Sequence, residues 1–572
     1  MKEVEKMLCK IKDYVSKKHF YCICVIVALI MSFGFYASNY TLSTDMLVFD
    51  YYSGTVLISA GRFSAPIISF FTNWMQFAPF WHTVAMGIIL FISGLAMALV
   101  FKELSDGKIA DSSVFVFWAF FSTYPIIIYQ LTYPILSVIL PYFLISVAMW
   151  QLIPLIKDEK ISFKNIILAL CCLVVSVDMY ESHATVFLAV FFGSALVRYI
   201  YASTEKTKKI MYFLKVVASA CGLLMIAIIA DFCVSKLVCY ITCGTTEFWY
   251  AANTHMEWFE DSFINVIRWL YRELLAQYVI TGVSNYSIWL FDVALFVGGI
   301  GSFVYSVKKR SLWCVFLYAA TCISSLALGI VIGSAPEYRM AQAIPVIVAL
   351  FMMLVAENLK EKKIIKKVAV GIFIILIFNQ TLIINRYSVV NYQRHEYEQN
   401  IIVDISKDLK DYPISEKPVL FVYDDGVEPH WYESTPIALK NPIAEKYKEI
   451  MCRVYDAVIP ATTFKRLDAR YGNYKQWGGQ LTNAAGVADF FNIYRDTQVY
   501  RLYNTRTVSE HYSAEIYVNF DINGCKLIVP ELAKDKEKHD EIRKQYIDMV
   551  AYPYEGYIKE CDDMIIVKIY KK

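Results

Sequence analysis

Eleven long apolar stretches constrain this chain more than any other feature of its sequence. A helix needs roughly 20 mainly apolar residues to cross the hydrocarbon core of a bilayer. Only 19% of the residues are charged, whereas soluble domains carry about 25%. The sequence therefore predicts a polytopic α-helical membrane protein. The predicted spans are residues 20–38, 80–101, 112–130, 134–154, 165–182, 184–201, 212–240, 287–306, 311–333, 341–357 and 368–385.

The distribution of lysine and arginine predicts how these spans are oriented. Cytoplasmic loops of membrane proteins are enriched in both residues. If the N-terminus is cytoplasmic, every second connection is basic, and the connections between them hold few lysines or arginines. An odd number of spans then places the C-terminus on the outer side. The predicted cytoplasmic segments are 1–19, 102–108, 157–164, 198–209, 308–310 and 360–367.

The third and fourth predicted spans leave two arrangements open. Only residues 131–133 separate them. The two spans could form a hairpin with a tight outer turn, or they could be partly re-entrant.

The composition changes after residue 385, and we predict a membrane domain over 1–385 and an extracytoplasmic domain over 386–572. The second domain opens with an amphipathic stretch, which we expect to lie on the membrane surface as a helix. Further on, apolar runs predict strands and one helix, as in a small α/β or α+β domain. The apolar positions of the stretch are Val390, Tyr397, Ile401, Ile405 and Leu409; the predicted strands fall in 417–426, 525–532 and 564–570, and the helix in 443–458.

The first outer connection, residues 39–79, carries two acids that could act as a catalytic base. Asp45 and Asp50 follow the first span closely enough to lie at the outer surface. A carboxylate there could take the proton from an attacking hydroxyl group. We favour Asp45, because Ser43 and Thr44 before it resemble a helix N-cap, with Asp50 in support. The alternative is an ordinary polar loop.

Arg62 and Arg339 are the only basic residues of their outer connections. A guanidinium group is well shaped for bidentate contact with a phosphate, and a lipid phosphate lies at that depth. We therefore assign both residues to binding of a donor phosphate. The alternative is an arginine that extends to the lipid headgroups.

Three titratable residues, Asp178, Glu181 and His183, cluster near the outer end of the fifth span. Asp178 and Glu181 are three residues apart and would share one helix face. The cluster could hold hydroxyl groups of an acceptor or a divalent cation, or it could be a hydrated helix end. The residues predicted to bind sugar or acceptor are Tyr180, Glu181, His183, Tyr133 and Glu337.

Asp231 lies deep in the seventh span and needs a partner from another helix or from water. It could relay protons in a transporter, but we favour a structural polar contact. Lys236 is five residues away, on a different helix face. The chain has no P-loop, GxGxxG, HExxH or CxxC motif, so the sequence gives no support for ATP coupling, nicotinamide chemistry or zinc hydrolysis. A net charge of only +3 gives no reason to expect a nucleic-acid partner.

The order of these features resembles the polytopic bacterial Gtr type-II glucosyltransferases of the GT-C class, which modify O-antigens and related surface glycans. The matching motifs extend along the whole chain. Thr44 stands at the first position of the family's acidic pair, Phe63 at the position of a proline, and Glu181 at that of a glutamine. The motifs are Thr44-Asp45, Gly54 and Gly61-Arg62-Phe63, then Tyr180-Glu181-Ser182-His183-Ala184, Pro336-Glu337-Tyr338-Arg339 and Tyr552-Pro553-Tyr554-Glu555-Gly556-Tyr557.

The resemblance implies a transferase in the bacterial plasma membrane that moves glucose from a polyprenyl-phosphate donor to a glycan on the outer face. Asp45 would be the base, Arg62 and Arg339 would neutralise the departing phosphate, and Glu181 and His183 would orient hydroxyl groups. No cofactor is obligatory, with a divalent cation as the open alternative. The implied partners are the donor, the glycan and the bilayer, with a donor synthase and a flippase from the same operon. A transporter or flippase of lipid-linked glycans and a glycan polymerase are the rival functions.

Overall fold

The structure is a computed structural model, and it describes the helices of the chain and a small sheet near the C-terminus. The described residues are 2–39, 41, 54–72, 79–129, 135–202, 210–248, 258, 262–267, 288–309, 312–333, 340–360, 363–413, 417, 419–422, 515–521, 524–527, 544–550, 552 and 554–568. They fall into two compact units. Most of the chain up to Ser388 forms the helical unit, whereas Thr41 and the described residues from Val389 onward belong to the terminal unit.

Apolar helices make up the helical unit. In chain order they are α1 (Lys2–Lys17), α2 (His19–Ser38), α3 (Gly54–Ser59), α4 (Ser64–Thr72), α5 (Pro79–Leu104), α6 (Asp111–Ser122), α7 (Ile126–Tyr129), α8 (Ile135–Ile156), α9 (Phe163–Met179), α10 (His183–Ala202), α11 (Ile210–Cys243), α12 (Ile288–Lys309), α13 (Trp313–Ile323), α14 (Ala327–Ile332), α15 (Ile344–Leu359) and α16 (Lys363–Asp408). A 3₁₀ turn, Ser324–Leu326, joins α13 to α14.

Within the described ranges, seven helical stretches are long and apolar enough to cross a membrane. The prediction of a mainly helical chain with several helices of membrane-spanning length is therefore confirmed, whereas the number eleven stays a prediction. The other four predicted spans contain the shorter helices α6, α9 and α15, and α12. The seven stretches are His19–Ser38, Phe80–Leu104, Val138–Ile156, His183–Ala202, Ile210–Cys243, Trp313–Ile332 and Ile364–Gln393.

The third predicted span, 112–130, is not one continuous helix. It is broken at residues 123–125, between α6 and α7. Pro125 accounts for the break, because a proline disfavours helical geometry in the residue before it and offers no backbone N–H. The hydroxyl group of Thr123, which is fully buried, lies 2.9 Å from the carbonyl oxygen of Ala119 and 2.9 Å from Oε1 of Gln380. The contact with Gln380 joins the break to α16. Residues 131–133 lie outside the described ranges.

Ion pairs join the loops at one end of the helical unit, which we call the ion-pair end. Arg198 contacts Asp106 at 2.6 Å, and Lys157 contacts the same carboxylate at 3.1 Å. Partial burial alone would raise the pKa of Asp106, but hydrogen bonds from Arg198 and Lys157 outweigh it and lower this pKa. Lys10 of α1 pairs with Glu103. Several of the segments predicted to be cytoplasmic therefore meet at one end.

A mixed five-stranded sheet forms the core of the terminal unit. Its strands are β1 (Val419–Val422), β2 (Glu515–Asp521), β3 (Gly524–Leu527), β4 (Ile558–Glu560) and β5 (Ile565–Lys568). The spatial order is β3-β2-β1-β5-β4, and only the β1–β5 pair is parallel. Strands β1 and β5 lie within two of the predicted strand segments, and β3 overlaps the start of the third, 525–532. The predicted helix at 443–458 lies outside the described ranges.

Two tyrosines of the closing motif bind the end of α16 in the terminal unit. The Tyr552 hydroxyl group donates to Asp404 at 2.9 Å, and the Tyr557 hydroxyl group donates to Asp408 at 2.6 Å. Burial and the hydrogen bond to Asp408 raise the pKa of Tyr557. The motif therefore has a structural role, because it fixes the chain just before β4 to the helix.

Candidate functional site

Four of the nine predicted site residues lie in the described part of the chain: Arg62, Tyr180, Glu181 and His183. The structure brings these four together at the end of α9 that is remote from the ion-pair end. Helix α9 has 17 residues and is therefore about 25 Å long, and Lys157 lies just before its start. The other five, Asp45, Asp50, Tyr133, Glu337 and Arg339, lie outside the described ranges.

A tight turn between α3 and α4 presents Arg62. The N–H of Gly61 donates to the carbonyl oxygen of Ile58 at 2.9 Å, and the N–H of Arg62 donates to that of Leu57 at 2.8 Å. This pair of hydrogen bonds is the Schellman arrangement that ends many helices, and it needs a residue with positive φ. Gly61 has a φ of 83°, which a residue with a side chain adopts only at a cost. The Gly-Arg motif therefore ends α3 and is followed at once by a partly buried cation.

Asp178 caps the first turn of α4 from another helix. Its carboxylate accepts hydrogen bonds from the backbone N–H of Phe63 at 2.9 Å and of Ser64 at 2.7 Å, and from the Ser64 hydroxyl group. Helix N-termini carry unpaired N–H groups and a partial positive charge, and a carboxylate satisfies both. Asp178 is only 2% exposed. Its oxygens thus accept hydrogen bonds inside the protein.

Ser235 of α11 connects the turn to a third helix. Its hydroxyl oxygen lies 3.1 Å from the carbonyl oxygen of Gly61 and 3.4 Å from the carboxylates of both Asp178 and Asp231. Asp231 and Asp178 also interact electrostatically. Asp231 thus has a polar contact in the structure, and its structural role stays a prediction. Lys236 lies instead 4.8 Å from the centre of the Phe232 ring.

Arg62 and Glu181 face each other across this turn. Nη2 of Arg62 lies 3.6 Å from Oε2 of Glu181, which is an ion pair rather than a hydrogen bond. The guanidinium carbon lies 5.3 Å from the centre of the Tyr180 ring, within the range of a cation–π contact. The side chain of Arg62 is 19% exposed and that of Glu181 is 48% exposed. The pair therefore remains open to solvent or a ligand.

The prediction that Asp178 and Glu181 share one helix face is wrong. Helix α9 ends at Met179, and Tyr180 after it is extended, with φ −164° and ψ 117°. The two carboxylates consequently have different surroundings. Asp178 points into the protein at Ser64, whereas Glu181 faces Arg62.

His183 is the first residue of α10 and is fully buried. Its Nδ1 is 3.1 Å from the carbonyl oxygen of Tyr180, and its ring packs edge-on against that of Tyr142 at 5.2 Å between centroids. The Tyr142 hydroxyl group donates to the carbonyl oxygen of Gln342 at 3.0 Å. Since Gln342 follows the Pro-Glu-Tyr-Arg motif closely, this contact anchors the chain after Arg339 beside the other motifs.

Sequence reasoning missed the residues that hold the site together: Ser64, Tyr142, Ser235 and Gln342. Ser64 follows the Gly-Arg-Phe motif directly, and a serine before an apolar run is a recognised signal for the start of a helix. The other three give no recognisable signal, because single polar residues in apolar helices have many roles. Among the described residues, no group of three or more His, Cys, Asp and Glu side chains is arranged to hold a metal ion. The predicted acids Asp45, Asp50 and Glu337 lie outside that search.

Comparison with known proteins gives one family. A family model described as "Glucosyl transferase GtrII" matches residues 34–356, which is more than half of the chain. The matched range contains Arg62, Asp178, Tyr180, Glu181 and His183, and it ends inside α15. A search of curated proteins finds no match.

Proposed function

Because the chain belongs to the GtrII glucosyl transferase family and is thus a glycosyltransferase, we propose that its sugar donor is a polyprenyl-phosphate-linked glucose. The acceptor is a glycan of the cell surface, and transfer takes place on the outer face of the bacterial plasma membrane. The fold of the helical unit is of the GT-C type. A donor synthase and a flippase, which deliver this donor to the outer face, are the expected operon partners.

The observation that carries this proposal is the arginine of the Gly-Arg turn, held on an aromatic ring at one end of the membrane helices. A donor of this class carries one phosphate at the membrane surface, and that phosphate gains charge as the bond to the sugar breaks. Preorganised cations stabilise such developing charge. Arg62 has the required charge, is partly exposed, and lies with its guanidinium carbon 5.3 Å from the centre of the Tyr180 ring.

Glu181 is the resting partner of Arg62 in this mechanism. The 3.6 Å distance between them gives a weak, partly solvated ion pair. A phosphate can displace the Glu181 carboxylate from Arg62, because it offers bidentate charge-assisted hydrogen bonds. The released carboxylate is then available to a sugar hydroxyl group. Tyr180 and His183 shape this part of the site, and Tyr133 and Glu337 belong to the same sugar and acceptor region.

Asp45 is the general base of the proposed reaction, with Asp50 in support, and Arg339 is the second ligand of the phosphate. Asp45 takes the proton of the attacking glycan hydroxyl group. The hydroxyl oxygen forms the new bond to the anomeric carbon, and the lipid phosphate leaves with the bonding electrons. Residues 386–572 guide the acceptor. No metal ion is obligatory for this step, because two arginines supply the positive charge.

The rival function, a proton-coupled transporter of lipid-linked glycans, would use Asp231. We instead assign Asp231 to the support of the turn, because its carboxylate lies 3.4 Å from the Ser235 hydroxyl oxygen, and the same hydroxyl oxygen lies 3.1 Å from the carbonyl oxygen of Gly61.

The proposal is tested with purified protein in lipid vesicles, a panel of polyprenyl-phosphate hexoses and a surface glycan as acceptor. Mass spectrometry follows the glycan, and chromatography follows free polyprenyl phosphate. We expect transfer with the glucose donor and none with Asp45→Asn, which keeps the size of the side chain but is not a base. Full transfer by that variant would remove Asp45 from the mechanism, and movement of intact lipid-linked glycan without transfer would favour the transporter.

A further inference from the structure

Asp178 is the most heavily hydrogen-bonded carboxylate near Arg62, and the proposed reaction does not use it. It accepts two backbone N–H groups and one hydroxyl group from residues 63 and 64. These residues follow Arg62 directly. Asp178 thus holds the peptide group that joins Arg62 to Phe63.

The chemistry of Asp178 does not fit a catalytic residue. It is 2% exposed, so a substrate cannot reach it without opening of the protein. Its oxygens are already occupied by three donors from the Phe63-Ser64 segment. A group that is buried and saturated in this way holds structure rather than exchanging protons with a ligand.

A second support acts on the other side of Arg62. The carbonyl oxygen of Gly61 lies 3.1 Å from the Ser235 hydroxyl oxygen, and the same hydroxyl group lies 3.4 Å from Asp178. Arg62 therefore sits between two fixed peptide groups, one held by α9 and one held by α11. Its backbone is restrained even though its side chain is partly exposed.

We propose that Asp178 is a positioning residue of the transferase, which fixes the 61–64 turn so that Arg62 meets the phosphate of the donor. This inference rests on the proposed function, because it assumes that Arg62 binds a lipid phosphate. It goes beyond that function in assigning the geometry of the donor site to a buried carboxylate on another helix. Loss of this carboxylate leaves Arg62 in the chain but lets it sample many positions.

The variant Asp178→Asn tests this role at constant side-chain size. An asparagine offers one oxygen and one NH₂ group, so either the N–H of Phe63 or that of Ser64 loses its acceptor. Hydrogen exchange measured by mass spectrometry on peptides that cover residues 57–68 reads this loss without any turnover. We expect faster exchange of these peptides than in the wild type. Asp13→Asn, which removes an exposed acid of α1, is the matched control and should leave this exchange unchanged.

Binding of a short-chain polyprenyl monophosphate then tests whether the turn acts through Arg62. We expect Asp178→Asn to raise the Kd by about 10- to 100-fold, since small errors of position in an active site have effects of this size. We expect the double variant Arg62→Ala/Asp178→Asn to bind as weakly as Arg62→Ala alone, because residues that act as one unit are not additive. Ser64→Ala removes only the hydroxyl donor to Asp178 and should raise the Kd by a smaller factor. This variant allows the proposal to be tested even if Asp178→Asn does not fold.

The proposal would be overturned by unchanged hydrogen exchange over residues 57–68, by an unchanged Kd for polyprenyl phosphate, or by additive losses of affinity in the double variant. Faster exchange, weaker binding and non-additivity together support it. Sugar transfer is measured separately on the same preparations. A wild-type protein that binds polyprenyl phosphate but transfers no sugar contradicts the proposed function and leaves the positioning role of Asp178 standing.

Discussion

Replacement of Arg62 by alanine examines the donor site at its best-defined residue. The variant loses a guanidinium group that lies 5.3 Å from the Tyr180 ring centre and 3.6 Å from the Glu181 carboxylate. The ring contact contributes about 0.5–1 kcal/mol to folding. The ion pair contributes at most about 1 kcal/mol, because Glu181 is half exposed. Arg62→Ala should therefore fold and remain in the membrane.

The effect on the donor should be larger than the effect on folding. A hydrogen bond to a charged group contributes about 1.5–3 kcal/mol, and each 1.4 kcal/mol is about tenfold in an equilibrium. We therefore expect Arg62→Ala to lower kcat/KM for the donor by about 10- to 150-fold, with the KM for the acceptor unchanged. The donor kcat/KM of Arg62→Lys should lie between those of the wild type and Arg62→Ala, because lysine keeps the positive charge but lacks the planar guanidinium group.

The assay is the initial rate of polyprenyl phosphate release with the donor varied at saturating acceptor. Arg386→Ala, which removes an exposed arginine of α16, is the matched control for a general loss of positive charge. Equal donor kinetics for Arg62→Ala and Arg386→Ala would refute the assignment of Arg62 to the donor phosphate.

Three further substitutions test the site and its supports. Glu181→Gln frees Arg62 from its counter-ion and removes an acceptor for a sugar hydroxyl group. Steady-state kinetics should therefore give a lower donor KM together with a lower kcat. A higher donor KM would contradict displacement of Glu181 from Arg62 by the donor phosphate. Gly61→Ala puts a side chain at a φ of 83°, which costs about 1–2 kcal/mol. The variant should therefore have a lower thermal stability and a lower donor kcat/KM. Wild-type values of both quantities would show that the turn does not need glycine. Tyr557→Phe removes the hydrogen bond to Asp408 and should destabilise the terminal unit by about 1–2 kcal/mol. Hydrogen exchange in residues 558–568 should then be faster than in the wild type. An unchanged exchange rate would show that the Tyr557 hydroxyl group does not anchor this segment.

Hydropathy predicted the helices better than their ends. Each predicted span contains a helix because burial of apolar side chains in lipid requires internally paired backbone groups. The break at 123–125 was visible in Pro125, whereas the end of α9 at Met179 was not, since no glycine or proline follows it. The predicted last span and the amphipathic stretch after it form one helix, α16, because no helix-breaking residue separates them. Strand β2 was missed despite the alternation of Ile516, Val518 and Phe520.

The candidate site could be predicted in its parts but not in its contacts. Topology and motif order predicted that Arg62 and the 180–183 segment share one side of the membrane. They could not predict that Asp178 caps α4, because that hydrogen bonding joins residues 114 and 115 positions apart. They also grouped Asp178 with Glu181, since spacing along a chain cannot show that a helix ends between two residues. Spacing along the chain therefore placed Asp178 beside Glu181, whereas its hydrogen bonds are to Phe63 and Ser64.

In the proposed reaction, glucose comes from a lipid phosphate and passes to a glycan hydroxyl group in a single coupled step. The most direct measurement is the number of polyprenyl phosphate molecules released for each glucose found on the acceptor, with purified wild-type protein and polyprenyl-phosphate glucose as the donor. We expect one lipid phosphate per glucose, and no transfer when a nucleotide-linked glucose is the sole donor. Transfer from the nucleotide sugar alone, or lipid phosphate release that is not matched by glucosylated glycan, would contradict the proposed reaction.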